Sequence, residues 1–453
     1  MLTKEIKIMT KTEHIYEYLK FVNFKDFFLW DVKRFVAERI TSNFPIVSLG
    51  KYIKEENTKI RPALEPEKEH KILGVNNIDG IFDVYTQLGK EIKQPYKIMK
   101  DGFLAYNPYR INVGSIGLKS NEHKNDLISS AYVVFSCKNG LNPEFLYKLF
   151  KTDRFNKVIR DSTTGSVRQN LTIDILRSLE IPLPSLTEQA EILAEYNAKI
   201  EEANEAENNG IEQLNIFQQR LIELLKIEIP KKNERIKKFL YFENFANLER
   251  WDVWNNKDLP FSKAYDNVEF EKIISSSPMY GANTKSAKTN SDIRYLRITD
   301  INEDGSLNEE VVQAKDEDPK YLLEENDFLL ARSGNTVGKS FLYKSKFGKC
   351  LFAGYLVKYK LNTEKVIPEY VFAYTKGIIF REWIKSNQRI SGQPNINGQE
   401  YLKSPFVLPD KSVQQKVVEE FKYRTENYYI FKEQARQLKE QAIKDFEAKI
   451  FKN

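Results

Sequence analysis

The sequence predicts an α+β protein of two similar mixed α/β domains separated by a long antiparallel two-helix coiled coil, a pseudo-twofold internal repeat. Three observations lead there. Landmarks of the first half recur in the second at an offset of about 225 residues, too long a period for a solenoid. Within each half the periodicity changes from strand-like to helix-like. Each half then closes on roughly 40 residues with apolar positions spaced alternately three and four apart.

The repeat is read from particular residues. Trp30-Asp31-Val32 recurs as Trp251-Asp252-Val253. Ala131-Tyr132-Val133-Val134 recurs as Gly354-Tyr355-Leu356-Val357, and Pro143-Glu144-Phe145-Leu146-Tyr147 as Pro368-Glu369-Tyr370-Val371-Phe372. Asn170 falls on Asn395, Pro184 on Pro409 and Gln189 on Gln414. The division that follows is a first domain over residues 1–185, opening with a helix near residues 12–21. A central spacer helix over 186–230, a second domain over 231–405 and a C-terminal spacer helix over 406–453 complete it.

Taken in order, each half begins with short β-branched or alternating runs. Phe44-Pro45-Ile46-Val47-Ser48-Leu49 and Tyr132-Val133-Val134-Phe135 are examples, matched later by Tyr295-Leu296-Arg297-Ile298 and Phe328-Leu329-Leu330-Ala331. Gly, Asn, Asp and Pro punctuate them, as expected of strands and turns. One helix follows in each half, over about 143–160 and 368–387, each opening on a proline suited to a first helical turn. A glycine-containing loop and then the long helix come next. In the first long helix Leu193, Tyr196, Ile200, Ala203, Leu214, Phe217, Leu221 and Leu224 share one register, with Asn208-Asn209-Gly210 marking a bend. In the second, Val417, Phe421, Tyr428, Phe431, Ala435, Leu438 and Ala442 do the same, with Arg424 the polar exception. At 1.5 Å per residue each helix is about 60 Å long, so pairing them antiparallel would place one domain at each end.

Composition bounds the function. The 453 residues are 30% charged, 41% hydrophobic and 13% aromatic, a globular balance. No apolar run approaches the roughly 20 residues that span a bilayer, and the N-terminus does not read as a secretory signal, so a cytoplasmic protein with no membrane partner is expected. Cys137 and Cys350 are expected as reduced, buried thiols, and the three histidines have no neighbour at ligand spacing, so no metal is expected. The net charge of +6 permits a nucleic-acid partner without requiring one.

Ile181-Pro182-Leu183-Pro184-Ser185-Leu186-Thr187-Glu188-Gln189, entering a long helix, resembles the domain-to-helix junction of type I restriction-modification specificity subunits. Ser129-Ser130-Ala131-Tyr132-Val133-Val134-Phe135 and Arg332-Ser333-Gly334-Asn335-Thr336-Val337-Gly338-Lys339 are similar to a strand and a turn of the same family. Phe406-Val407-Leu408-Pro409-Asp410 is a looser second junction. The resemblance spans the chain from about Trp30 onward. It implies a non-catalytic protein whose two target-recognition domains read the halves of a split site in double-stranded DNA. It also implies helices that dock two methyltransferase subunits and, through them, restriction/translocase subunits. No cofactor is then expected on this chain; methyl donor, ATP and magnesium belong to those partners.

Several motifs are weighed on their chemistry. Gly334-x-x-x-Gly338-Lys339-Ser340 is one residue short of a phosphate loop. Asn107-Pro108-Tyr109-Arg110 lacks the second proline of an adenine-methyltransferase motif. Asp410 and Glu420-x-Lys422 sit at the start of a predicted helix and two to three turns into it, where carboxylates do not converge on one ion. The turns instead offer side chains suited to a duplex. Arg pairs with guanine and Asn or Gln with adenine in the major groove, while Ser and Lys hold phosphates. The candidate DNA contacts are Arg110, Asn112, Ser115, Arg168, Gln169 and Asn170 in the first half. In the second they are Arg332, Ser333, Asn335, Lys339, Arg389, Gln393 and Asn395. The expected coiled-coil seam is Leu193, Ile200, Leu214, Phe217 and Leu221 against Phe421, Tyr428, Phe431 and Leu438. Outward helix positions Glu195, Lys199, Glu212 and Gln219 are candidate partner surface. A single-chain methyltransferase or nuclease, and a coiled-coil scaffold that binds only protein, stay open as alternatives.

Overall fold

The structure, a computed structural model, describes residues 40–111, 114–162, 170–230, 259–387 and 394–452. The expected helix near 12–21, Trp30, Trp251, Trp254 and the basic run 231–238 lie outside these residues. The eight helices described are α1 (Pro143–Lys151), α2 (Asp153–Ser162), α3 (Ile173–Ser178), α4 (Leu186–Leu224), α5 (Pro368–Tyr374), α6 (Ile378–Asn387), α7 (Gly398–Leu402) and α8 (Lys411–Ile450). The chain forms two units, one of residues 1–204 with 435–453 and one of residues 205–434.

A repeated side-chain amide shows the duplication at atomic level. Gln189 is fully buried in the first turn of α4. Its Nε2 donates to the carbonyls of Gly140 (2.9 Å) and Pro184 (2.8 Å), and its Oε1 accepts from Asn142 N (2.8 Å). Gln414, in the first turn of α8, donates to Lys365 O (3.0 Å) and Pro409 O (2.9 Å) and accepts from Ile367 N (2.8 Å). Every partner recurs at the offset seen in the sequence. The amide satisfies backbone groups that burial would otherwise leave unpaired, and so fixes the long helix to the loop entering α1 or α5. The start of α4 is further fixed by a reciprocal cap between Ser185 and Glu188, with Ser185 N donating to Glu188 (2.7 Å) and Glu188 N to Ser185 Oγ (3.3 Å).

Each unit holds a four-stranded antiparallel sheet of the same order. In the first it runs Ile53–Glu55, Val133–Cys137, Leu104–Tyr106, Ile116–Leu118; in the second Met279–Tyr280, Leu356–Tyr359, Phe328–Ala331, Ser340–Leu342. A two-stranded sheet also recurs, as Ile46–Ser48 with Glu180–Pro182 and Asp266–Glu269 with Pro405–Leu408. The units differ in what is added. The first carries a five-stranded sheet whose longest hairpin is Glu69–Val75 with Ile81–Leu88, the second short pairs such as Ser286–Ala287 with Gln313–Ala314.

The single helix expected after the sheet is broken in both halves. Between α1 and α2, Thr152 turns extended, and its hydroxyl donates to Leu149 O (2.7 Å) and accepts from Phe155 N (3.3 Å). Between α5 and α6, Gly377 faces Leu221, whose Cδ2 would lie 2.4 Å from any Cβ placed there. At Thr152 local side-chain bonds to the backbone compete with the helical pattern, and at Gly377 the neighbouring Leu221 leaves no room for a side chain.

The long helices supply the core of each unit. In the first, Ile192 and Leu193 of α4 join Phe446 and Ile450 of α8, with Phe446 5.6 Å from the Phe145 ring and 5.8 Å from Tyr196. In the second, Phe217 and Leu221 meet Val417 and Phe421, the Phe217 and Phe421 rings 5.0 Å apart. Within each unit α4 and α8 run antiparallel. Glu195 and Lys199 pair with Lys449 and Asp445 in the first, and Gln213 and Phe217 with Arg424 and Phe421 in the second. Glu195 and Lys199 therefore flank the seam rather than facing outward.

The seam departs from the expected register in the middle of α4. Ala206, Gly210 and Gln213 face α8, while Leu214 is 38% exposed. The helix α4 continues unbroken through Asn208-Asn209-Gly210. Gly210 instead marks a close approach, where a Cβ would lie 3.4 Å from both Phe431 Cβ and Tyr428 O. The polar exception, Arg424, bonds Gln213 Oε1 (2.9 Å) and Glu420 (2.8 Å). Ile200, Tyr428, Phe431 and Leu438 are half-buried, as helix–helix positions are.

Candidate nucleic-acid interface

In the first unit the central strand Leu104–Tyr106 runs into a turn held by Asn107. Its carbonyl accepts from Arg110 N (3.0 Å) and its Oδ1 from Tyr109 N (3.0 Å). Tyr109 (58% exposed) and Arg110 project from this turn. The chain from residue 170 onward is clamped beside it: Leu171 N donates to Pro108 O (3.0 Å), and the buried Tyr106 hydroxyl donates to Leu171 O (3.1 Å). Asn170 is thereby brought next to the 107–110 turn. Its Oδ1 is buried without a hydrogen-bond partner among the described residues.

The second unit repeats the clamp. Ile396 N donates to Arg332 O (2.9 Å), Ser333 bridges Asn395, and Gly334 N donates to Pro394 O (2.9 Å). Arg332, Ser333, exposed Asn335 and Asn395 are thus gathered together, with exposed Tyr355 accepting from Arg332 N (3.0 Å). Gly338 closes the turn at φ +87°, its N–H donating to Ala331 O and to the Tyr401 hydroxyl, both 3.0 Å.

Two candidate side chains are directed elsewhere. Ser115 is 3% exposed and its hydroxyl donates to Val75 O (3.4 Å), so it does not reach the surface. Lys339 places its ammonium on Ile301 O (2.8 Å), 3.6 Å from Glu303. That position supports the turn from behind. Asn112, Arg168, Gln169, Arg389 and Gln393 lie outside the described residues.

The family model for the type I restriction modification DNA specificity domain matches residues 106–213 and 263–440, together more than half of the chain. The chain belongs to this family. It is a specificity subunit, the non-catalytic part of a type I R-M complex that determines the DNA target. One solved structure agrees on the fold. A chain from a study of complex assembly and conformational transition of the type I R-M system is 16% identical, with 91% of this chain and 98% of that chain covered and a TM-score of 0.53. The HsdS subunit from Thermoanaerobacter tengcongensis is also 16% identical, over 91% and 98%, with a TM-score of 0.37. The S subunit of a type I restriction-modification system from M. genitalium is 14% identical, over 92% and 98%, with a TM-score of 0.39. No curated protein matches the chain.

Both family segments of the specificity subunit contain one clamped turn, and no helix among the described residues is long and apolar enough to cross a membrane. Sequence reasoning missed one residue of the second turn. Tyr280 lies beneath Arg332, the guanidinium carbon 4.9 Å from the ring centroid. The two are joined only by sheet pairing of Met279–Tyr280 with Leu356–Tyr359, which no local pattern announces.

Proposed function

We propose that this specificity subunit reads a bipartite duplex, one half through each clamped turn, and recruits two methyltransferase subunits and, through them, restriction/translocase subunits. The observation that carries this is the same backbone clamp in both copies, Leu171 N on Pro108 O and Ile396 N on Arg332 O. Each clamp sets a turn beside a second segment, 170–171 or 394–396, so that Arg110 and Asn170 in one unit, and Arg332, Ser333, Asn335 and Asn395 in the other, present donors and acceptors together. Arginine, asparagine and glutamine recognise base edges, and the remaining polar groups hold the backbone. Residues 1–185 and 231–405 are assigned as the recognition modules, with 186–230 and 406–453 as the spacer helices. Glu212 and Gln219, exposed on α4, belong to the surface offered to partner subunits. Methyl donor, ATP and magnesium are carried by those partners, in the cytoplasm where the DNA is.

The test is methylation-sensitive genome sequencing of a host that carries this chain with its methyltransferase. A split adenine-methylated motif is expected, and exchange of residues 231–405 for those of another specificity subunit should change one half only. A contiguous motif, or simultaneous change of both halves, overturns the reading. So does methyl transfer by the purified chain alone.

A further inference from the structure

Arg332 is held unlike an ordinary surface arginine. Its backbone is fixed on both sides, N–H to Tyr355 O (3.0 Å) and carbonyl to Ile396 N (2.9 Å). Its guanidinium lies over the Tyr280 ring, 4.9 Å from the centroid. Its Nε is buried and has no hydrogen-bond partner among the described residues. The ring beneath is fixed in turn, because the Tyr280 hydroxyl accepts from Gly398 N (2.9 Å) at the start of α7. Gly398 is closely packed there, since a Cβ would lie 3.1 Å from Pro278, 3.2 Å from Val357 and 3.3 Å from the Tyr280 hydroxyl. Stacking on an aromatic ring restrains a guanidinium fork while leaving its edge donors open. A rigid fork matches the paired N7 and O6 acceptors of guanine in the major groove.

We propose that Tyr280 and Arg332 form a guanine-reading pair, Arg332 making the contact and Tyr280 positioning it. The pair belongs to the half-site of the second unit alone. In the first unit the carbonyl that takes the equivalent bond is that of Pro108, which has no side-chain donor, so the duplicated clamp carries different readers in its two copies. This inference rests on the bipartite-reading proposal and adds the base.

The test uses the chain assembled with its methyltransferase partners, on the duplex motif found by host methylation sequencing. Each guanine of the half-site assigned to the second unit is replaced in turn by 7-deazaguanine, which lacks the N7 acceptor. With the wild-type complex one replacement should weaken binding by about tenfold, within the range one bidentate pair supplies. This readout needs no variant to fold. Arg332→Lys, which keeps the charge and loses the fork, should bind the natural and 7-deaza duplexes equally. Tyr280→Leu should lower the natural duplex's advantage by about threefold or more. The pair is overturned if that half-site contains no guanine, or if no replacement matters to the wild type. It is also overturned if Arg332→Lys binds every duplex as the wild type does while Arg332→Gln weakens every duplex alike with a shallower salt dependence, the mark of a phosphate contact. Tyr280→Leu with undiminished discrimination removes Tyr280 from the pair. A complex that binds the motif no better than unrelated duplexes sinks the bipartite reading itself, and this inference with it.

Discussion

Replacing Gln189 by leucine tests whether one buried amide fixes the long helix to its unit. The substitution keeps most of the volume and removes three hydrogen bonds, to Asn142 N, Gly140 O and Pro184 O. The Asn142 N–H would be left without its acceptor, which costs about 1–3 kcal/mol, and each carbonyl loses roughly 0.5–1 kcal/mol. Burying the leucine returns about 1 kcal/mol, so the net loss is about 1–4 kcal/mol. Gln414→Leu should cost the same, because its three partners are the same backbone groups one repeat later. Urea denaturation gives the magnitude, and hydrogen exchange gives the place. Gln189→Leu should loosen amides near residues 140–146 and spare 365–371, and Gln414→Leu the reverse. The losses should add within about 0.5 kcal/mol, since the two sites share no partner. A cost below about 0.5 kcal/mol, or loosening of both segments by either variant, would refute the reasoning.

Gly210→Ala should stabilise the protein by up to about 1 kcal/mol, because alanine favours the helix and its Cβ just fits at 3.4 Å, whereas Gly210→Val should cost about 2 kcal/mol through collision with Phe431; thermal unfolding separates the two signs. Phe446→Ala should cost about 3–5 kcal/mol and expose the first unit to proteolysis while residues 259–387 stay protected, a pattern read from the fragments. Burial lowers the Lys376 ammonium from 10.5 to about 8. A lysine with a folded-state pKa below its unfolded one weakens the fold while charged, so stability should rise as pH climbs from about 8 towards 10.5. Lys376→Met should gain about 1–2 kcal/mol at pH 7 and lose that advantage near pH 10, measured as urea midpoints across the range.

The duplication and the two long helices were legible because they depend on spacing alone. Gln189 and Gln414 stood out at one offset before their three bonds were visible, and Phe217, Leu221 and Phe421 announced the seam. The middle of α4 was misread because hydrophobic counting favours Leu214. The contact there is made by small Ala206 and Gly210 and by the polar Gln213–Arg424 pair, whose value is close approach rather than apolar area. At the break near Gly377, the residue that excludes a side chain is Leu221, far away in sequence, so no local pattern announces it. In the candidate interface the turns were found and individual roles were not. Ser115 and Lys339 look available in sequence, yet Val75 O and Ile301 O take them. Tyr280 carried no signal because only sheet pairing brings it to Arg332.

The first unit draws Phe446, Ile450 and Phe451 from the far end of the chain, and Lys452 N donates to Thr41 O (2.9 Å). A ribosome therefore releases residues 40–204 long before they have the side chains that finish their apolar interior. The second unit, by contrast, is one unbroken stretch, 205–434, and takes nothing from the residues that follow it. The N-terminal segment of the first unit spends that interval with a hydrophobic gap where Phe446 will later sit.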